Sequence, residues 1–90
     1  MAVLKKKIWP EYFEAVKSGK KKAELRLADF AIGEGDTLVL EEWDPKTKEY
    51  TGRTIEKHVT YVSRFDAKKL KQLWPNEDPF ETGLQIISLE

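Results

Sequence analysis

The sequence lacks cysteine, has a single histidine, and carries no excess of charge of either sign, because 16 Lys and Arg balance 16 Asp and Glu. Without cysteine there is no disulfide framework, and one histidine cannot supply the common zinc sites, which need several Cys or His ligands. A net charge of zero also argues against tight, unselective nucleic-acid binding through an overall positive field. Since no spacing of carboxylates indicates a magnesium site either, we predict no cofactor and no metal.

Long apolar runs are also missing. The N-terminal stretch "MAVLKKKIW" lacks an apolar core of signal-peptide length, and no run approaches the roughly 18 residues that a membrane helix needs. The sequence therefore predicts a cytoplasmic protein that makes no membrane contact. The 90 residues, 40% of them hydrophobic, suffice for one modest core. We predict a single domain over residues 1–90.

Apolar periodicity and turn residues indicate the order β-α-β-β-β-α-β. Residues 2–8 are predicted to form a strand. A helix begins at Pro10, which suits a first helical position, and ends at Gly19, which accepts a left-handed conformation. Its apolar side chains recur at i, i+3, i+4 and i+7 and form one stripe: Trp9, Tyr12, Phe13 and Val16.

Four further strands are predicted at 23–27, 37–43, 53–62 and 84–89, with "DPKTKEYTG" as a long hairpin loop. A second helix is predicted from an Asp66 N-cap to Trp74. In the second strand, alternation predicts a buried face and a polar face. The buried face holds Ala23, Leu25 and Leu27, and the polar face holds Lys22, Glu24 and Arg26. We predict an α+β, mostly β fold: a small, partly closed β-barrel of about five strands with two short helices.

The segment "AVKSGKKKAELRL" contains most of the candidate functional residues. Residues 5–26 carry eight Lys and Arg against three Glu, a local basic excess within a neutral chain. Glu24 and Arg26, two apart in a strand, form either a plain ion pair or a donor and acceptor set for a polar heterocycle. A solvated turn with spare charge is the simpler alternative. The candidate residues around this corner are Ser18 and Gly19, for close backbone approach, and the cations Lys20, Lys21 and Lys22.

Other candidates have competing interpretations. Trp9 could stack on a base, but its place in the apolar stripe favours a core role. His58 falls on the solvent-facing parity of its strand. Lys7 shares a face with Lys5 and could extend the basic patch. Glu41 and Glu42 point to opposite faces and do not form a paired-carboxylate set.

The segment "SGKKKAELRL" resembles the G-x-K-x-x-x-x-R signature of ASCH domains, which belong to the PUA-like β-barrel superfamily. The preceding "PEYFEAVKSGKK" and the following "F-x-I-G-E-G-D-T-L-V-L-E-E-W-D-P-K-T-K-E-Y-T-G-R" resemble a small ASCH-like family of bacteria and archaea. The resemblance covers residues 4–62 and the final strand. The matching motif positions are Gly19, Lys21, Arg26, Gly35 and Asp36.

The resemblance implies a ligand and, in some branches, an activity. PUA-like domains commonly bind RNA or modified bases, and some ASCH proteins hydrolyse the acetyl amide of acetylcytidine or act as ribonucleases. In the amidohydrolase branch the catalytic set is the signature lysine, a threonine three residues later and a distant glutamate. Lys21 matches the lysine, but Glu24 replaces the threonine, and Glu77 or Glu81 could stand for the distant glutamate.

We therefore predict a binding module for RNA or a modified nucleoside, with a basic cleft at the helix–strand corner. Its predicted ligand-binding residues are Trp9, Ser18, Gly19, Lys20, Lys22 and Arg26. A first alternative is a small ASCH-type hydrolase that uses Lys21 and Glu24 as catalytic residues. A second alternative is a protein-interaction domain without catalysis. The sequence does not indicate the oligomeric state.

Overall fold

The computed structural model describes residues 1–73 and 82–90, and the predicted element order is confirmed. The fold is α+β and mostly β. Trp74, Glu77 and Glu81 lie outside the described residues. The elements are β1 (Val3–Ile8), α1 (Pro10–Lys17), β2 (Ala23–Leu27), β3 (Thr37–Asp44), β4 (Glu49–Phe65), α2 (Ala67–Leu73) and β5 (Leu84–Leu89).

Helix α1 has the ends that the sequence predicts. Pro10 occupies its first turn, and Gly19 lies just past its end with φ of 82°. Two backbone bonds then close the corner, because Gly19 N donates to Val16 O at 3.1 Å and Lys21 N donates to Ala15 O at 3.0 Å. These bonds satisfy helix carbonyls that would otherwise lack partners, and they fix the path of the chain into β2.

The five strands form one mixed sheet in the order β1-β3-β4-β5-β2. β1 and β3 are parallel, and the other neighbours are antiparallel. The edge strands are β1 and β2, and no strand pairing joins them within residues 1–73 and 82–90. The predicted barrel is therefore not formed, since the sheet stays open between these edges. A side chain bridges the gap instead: Arg26 Nη2 of β2 donates to the Lys7 carbonyl of β1 at 2.8 Å.

The long hairpin loop predicted over "DPKTKEYTG" is wrong. The turn occupies only residues 45–48, and Trp43 already pairs with Tyr50. Asp44 Oδ1 accepts a hydrogen bond from Lys46 N at 2.8 Å, and Lys48 adopts a positive φ of 58°. This local bonding makes a short turn, so that aromatic and β-branched residues on both sides can continue the ladder.

The hydrophobic core lies between α1 and the inner face of the sheet. Phe13 and Val16 of α1 are buried against β3, and the edge of the core is completed by partly buried side chains such as Leu4 and Ile55. The buried core residues are Ile8, Phe13, Val16, Ile32, Leu38, Leu40, Val59, Ile87 and Leu89. In the described part of the chain, neither helix is long and apolar enough to span a membrane.

Candidate functional site

The two faces of β2 are reversed relative to the prediction. Glu24 is only 5% exposed, whereas Leu25 is 64% exposed and Leu27 also faces outward. A carboxylate is costly to bury unless it is paired and hydrogen-bonded, so its inward orientation needs specific partners. Those partners are present in the same segment, which explains why the polar face can point into the molecule.

Glu24 lies between two cations. Its Oε1 is 2.5 Å from Lys21 Nζ, and its Oε2 is 2.9 Å from Arg26 Nε and 2.8 Å from Arg26 Nη2. Lys21 Nζ also donates to the Ala23 carbonyl. Because β2 begins only at Ala23, Lys21 precedes the strand and can turn back toward Glu24. These three side chains, Lys21, Glu24 and Arg26, are called the Glu24 cluster below.

An open cleft of about 600 Å³ lies beside the Glu24 cluster, at the gap between the two sheet edges. Trp9 and Tyr12 of the α1 region line it while remaining 48% exposed each, so the predicted core role of Trp9 is wrong. The cleft thus combines a charged floor with exposed aromatic surface. Its lining residues are Lys7, Ile8, Trp9, Tyr12, Lys21, Glu24, Leu25 and Arg26.

Half of the predicted site residues meet in this cleft: Trp9, Lys21, Glu24 and Arg26. The other predicted residues are exposed and do not contribute to its lining: Ser18, Gly19, Lys20 and Lys22. The Ser18 hydroxyl donates to the Ala15 carbonyl at 3.1 Å, which is a helix-end bond.

Sequence reasoning did not assign three lining residues, namely Ile8, Tyr12 and Leu25. Tyr12 follows Trp9 by three positions, so its place on the same stripe was a usable signal. No sequence feature of Ile8 or Leu25 could have indicated that they line the cleft, because they do so only as a result of the gap between the sheet edges. Lys7 does extend the basic surface as expected, and its Nζ lies 4.2 Å from the centre of the Trp43 ring.

Two motif positions of the predicted resemblance have a structural role. Gly35 has φ of 88°, a conformation that favours glycine. Asp36 Oδ2 accepts from Gly33 N and Oδ1 accepts from Ala2 N, both at 2.9 Å. These backbone donors hold the pKa of the Asp36 carboxyl below its usual value. The pair therefore shapes the turn before β3 and ties the N-terminal segment to it.

A second charged cluster connects α1 to the β3–β4 hairpin. Arg53 Nε lies 3.4 Å from the buried Glu42 carboxylate, and Arg53 Nη2 pairs with Glu14. The guanidinium lies 4.5 Å from the centre of the Phe13 ring, and the Thr51 hydroxyl donates to Glu42 at 2.6 Å. Arg53 lowers the pKa of Glu14, and Glu14 raises the pKa of Arg53. These residues are called the Arg53 cluster.

Across residues 1–73 and 82–90 there is no group of three or more His, Cys, Asp or Glu side chains that could hold an ion. The buried Glu24 carboxylate is paired with two cations instead, Lys21 and Arg26.

Comparison with known proteins adds a family but no activity. A family model described as "Domain of unknown function (DUF3850)" matches residues 3–74. The "Uncharacterized 12.9 kDa protein in GpA 3'region" of Escherichia phage P2 is 42% identical over 57 residues, which are 63% of this chain and 50% of that protein. The chain thus matches about half the length of this relative. The crystal structure of hypothetical protein PH0355 covers 100% of this chain and 98% of its own, with a TM-score of 0.64 and 20% identity, a likeness of fold alone.

Proposed function

The chain belongs to the DUF3850 family, and we propose that its cleft binds RNA or a modified nucleoside. The observation that carries the proposal is the Glu24 cluster on the cleft floor, with Trp9 and Tyr12 exposed beside it. The resemblance of the segment from Gly19 to Arg26 to the ASCH signature supports the same class of ligand and, with it, membership of the PUA-like superfamily.

The Glu24 cluster keeps hydrogen-bonding capacity for a ligand. A carboxylate has about four lone-pair sites, and Glu24 uses two of them in hydrogen bonds from Lys21 and from Arg26 Nε. An ammonium has three donors, of which Lys21 uses two. Within the described residues, Arg26 Nη1 makes no hydrogen bond. The floor therefore offers acceptor sites on Glu24 beside several donors, as a base edge with an exocyclic amine and ring acceptors requires.

The charge of the floor favours a base edge over a phosphate. Glu24 lies between Lys21 and Arg26 and neutralises much of their field, so a phosphate there would also meet a carboxylate. Lys7 on the β1 side of the cleft aligns with Glu41 of β3 but forms no salt bridge within the described residues, and its ammonium is better placed for a phosphate group. The nucleotide would thus place its base on the floor and its backbone toward Lys7.

Aromatic surface and volume fit the same ligand. Stacking of a base on an exposed aromatic ring contributes roughly 1–3 kcal/mol, and Trp9 and Tyr12 present such rings in the cleft. The volume of about 600 Å³ lies within the range of roughly 300–1,000 Å³ typical of small-molecule sites. One nucleoside can therefore occupy the cleft, and further nucleotides would extend from its open side.

The test is a titration of the protein with acetylcytidine and with a short single-stranded RNA by calorimetry, at low and high salt. We expect Lys21→Ala to weaken nucleoside binding at least tenfold, because the ligand loses a donor and Glu24 loses a partner. Lys68→Ala, an exposed lysine of α2, is the matched control and should leave affinity for the nucleoside unchanged. Absence of binding to both ligands, or equal losses in the two variants, would overturn the proposal.

The contact between Lys21 and Glu24 also supports a second candidate, a hydrolase. In that case Glu24 would take a proton from water as the oxygen attacks the acetyl carbonyl, and Lys21 would stabilise the oxyanion. Glu24 would then give the proton to the amine nitrogen as the C–N bond breaks. Acetylcytidine would then yield cytidine and acetate. Product analysis by chromatography separates the candidates, since turnover that disappears in Lys21→Ala favours the hydrolase, whereas binding without turnover favours the module.

A further inference from the structure

Both edges of the open sheet present main-chain groups that no strand pairs with in residues 1–73 and 82–90. On β2, the Lys22 carbonyl accepts from Leu89 N of β5 at 2.8 Å. At the other end of the strand, Ala28 N donates to the Gly83 carbonyl at 3.1 Å. Alternate residues of a strand direct both of their backbone groups to the same side, so this parity faces β5. The residues of the opposite parity face the open edge: Ala23, Leu25 and Leu27.

The facing edge belongs to β1. Thr37 N of β3 donates to the Ala2 carbonyl at 2.9 Å, so the residues that alternate from Ala2 face β3. Lys7 has the opposite parity and faces the gap, as the bond from Arg26 Nη2 to its carbonyl shows. The gap therefore lies between two backbone edges, and the Arg26 side chain crosses it.

Leu25 is the residue of the β2 edge whose N–H and C=O both remain available. The Ala23 carbonyl accepts from Lys21 Nζ, and the Leu27 carbonyl accepts from Gln85 Nε2 at 3.3 Å. Neither backbone group of Leu25 has a hydrogen-bond partner across the gap in the part of the chain that the structure describes. The free edge is thus reduced to one donor and one acceptor on a single residue.

This pair of groups lies at the cleft. Leu25 is one of the lining residues, and the cleft occupies the gap that the Leu25 backbone faces. Its side chain lies on the outer surface of the sheet instead and is 64% exposed. In the strand, Leu25 lies between Glu24 and Arg26, so its main chain borders the Glu24 cluster. A donor and an acceptor that the β2–β5 ladder holds in place therefore accompany the charged floor.

We propose that the Leu25 main chain binds the Watson–Crick edge of the base, so that the ligand of the cleft is an unpaired nucleotide. The inference rests on the nucleoside-binding function proposed above. On that edge, cytosine presents the N4–H donor beside the N3 acceptor, which match the C=O and the N–H of Leu25. Unpaired bases in RNA are recognised in this way, through their edges together with stacking on aromatic side chains.

Other ligands and other groups of the cleft do not account for the same contact. Trp9 and Tyr12 can stack on any base, because every base has a π-face. An added peptide strand needs a run of free edge groups, but the Ala23 and Lys7 carbonyls are already used. A base in a duplex has its Watson–Crick edge occupied by the opposite strand, so it cannot reach the Leu25 backbone.

A proline substitution tests the Leu25 N–H directly. Leu25→Pro removes this donor and keeps the carbonyl, and an edge strand tolerates proline where the N–H faces away from the ladder. Leu25→Ala shortens the side chain and keeps the donor. In calorimetry with acetylcytidine, the Kd of Leu25→Pro should exceed that of Leu25→Ala about fivefold, the effect of one neutral hydrogen bond.

Two controls accompany this measurement. Leu27→Pro removes an edge-facing N–H outside the cleft lining and should bind acetylcytidine as the wild type does. A second arm needs only the wild-type chain and decides the matter if Leu25→Pro fails to fold by circular dichroism. Of two RNA hairpins of equal length, the one with cytidines in its loop should bind at least about tenfold more tightly than the one with them in its stem.

The outcomes separate this inference from the function on which it rests. Equal Kd values for Leu25→Pro and Leu25→Ala overturn the Leu25 assignment, and equal affinity for the two hairpins does so as well. If Lys21→Ala nevertheless weakens acetylcytidine binding, the proposed function stands without the Leu25 contact. A wild-type chain that binds neither acetylcytidine nor RNA overturns both.

Discussion

The two charged clusters of this protein are opposite in composition. In the Glu24 cluster one carboxylate lies between two cations, whereas in the Arg53 cluster one guanidinium lies between two carboxylates. Both contain a buried glutamate, and both lie beside α1. Only the first lines the cleft.

The difference lies in how the partners are used. In the Arg53 cluster, Glu42 accepts a hydrogen bond from the Thr51 hydroxyl, and the Phe13 ring covers one side of the Arg53 guanidinium. Its contacts join the helix to the hairpin and so maintain the fold. In the Glu24 cluster, Lys21 and Arg26 retain donors that no described contact uses. Similar ion pairs therefore complete the fold in one place and, in another, leave donors free for the ligand that we propose.

The largest expected effect is that of Glu24→Ala. It leaves Lys21 and Arg26 facing each other without a counter-charge, and we expect a loss of about 3 kcal/mol in the free energy of unfolding, at the low end for a broken buried ion pair. The low end applies because both cations keep some contact with water. Urea denaturation measures it. Glu34→Ala, at an exposed turn position, is the control, and an equal loss in both variants would contradict the expectation.

Arg26→Lys should have the next largest effect. Lysine keeps the charge but lacks the planar fork, so it cannot bond both Glu24 and the Lys7 carbonyl across the open sheet edges. We expect a loss of about 1–2 kcal/mol in the free energy of unfolding and weaker binding of acetylcytidine. Arg53→Lys should lower stability without changing that affinity. If both variants weakened binding equally, the functional contrast between the clusters would be wrong.

Glu42→Gln should act on stability alone. The amide oxygen can still accept from Thr51, but the charge that faces Arg53 is lost, and we expect about 1 kcal/mol less stability. Calorimetry with acetylcytidine should give the wild-type affinity. An affinity change of more than about threefold, which corresponds to roughly 0.7 kcal/mol, would show that the Arg53 cluster also acts on the cleft.

Local signals predicted the fold better than they predicted the site. Pro10 and Gly19 set the ends of α1 through backbone conformation alone, and the final strand has the predicted bounds. The two faces of β2 were assigned wrongly, because alternation shows that two faces exist but not which one is inward. Burial of Glu24 depends on Lys21 and Arg26 together, and the ion pairs that permit it form only once the helix end has turned the chain back.

The open sheet edge has the same explanation. The number of strands predicted a closed barrel. Whether β1 pairs with β2 depends on the path of α1 between them, and no local sequence pattern indicates that path. The cleft, and the lining by Ile8 and Leu25, follow from that gap. The segment that supplies the charged residues of the cleft floor was thus identifiable from the sequence, whereas the cavity beside it could be seen only from the arrangement of the sheet edges.

The smallest expected effect concerns the exposed pair of Glu14 and Arg53, and it depends on pH. Arg53 lowers the pKa of Glu14 below its ordinary value of 4.5 in the folded protein. The pair therefore stabilises the fold above about pH 4.5, and this stabilisation is lost as the pH falls through the lower, folded pKa. Because both side chains are exposed, the effect should be small and should shrink in high salt.

Urea unfolding of wild type and Glu14→Gln at pH 7, 5 and 3 measures this contribution. The two free energies of unfolding should differ at pH 7, and the difference should shrink as the pH falls and the wild-type carboxyl is protonated. Glu11→Gln, in the first turn of the same helix, controls for the general loss of a helix charge. A difference that stays the same at every pH down to the acid limit of the fold would mean that Glu14 stabilises the hairpin by packing, and the Arg53 cluster would then owe less to charge than the Glu24 cluster does.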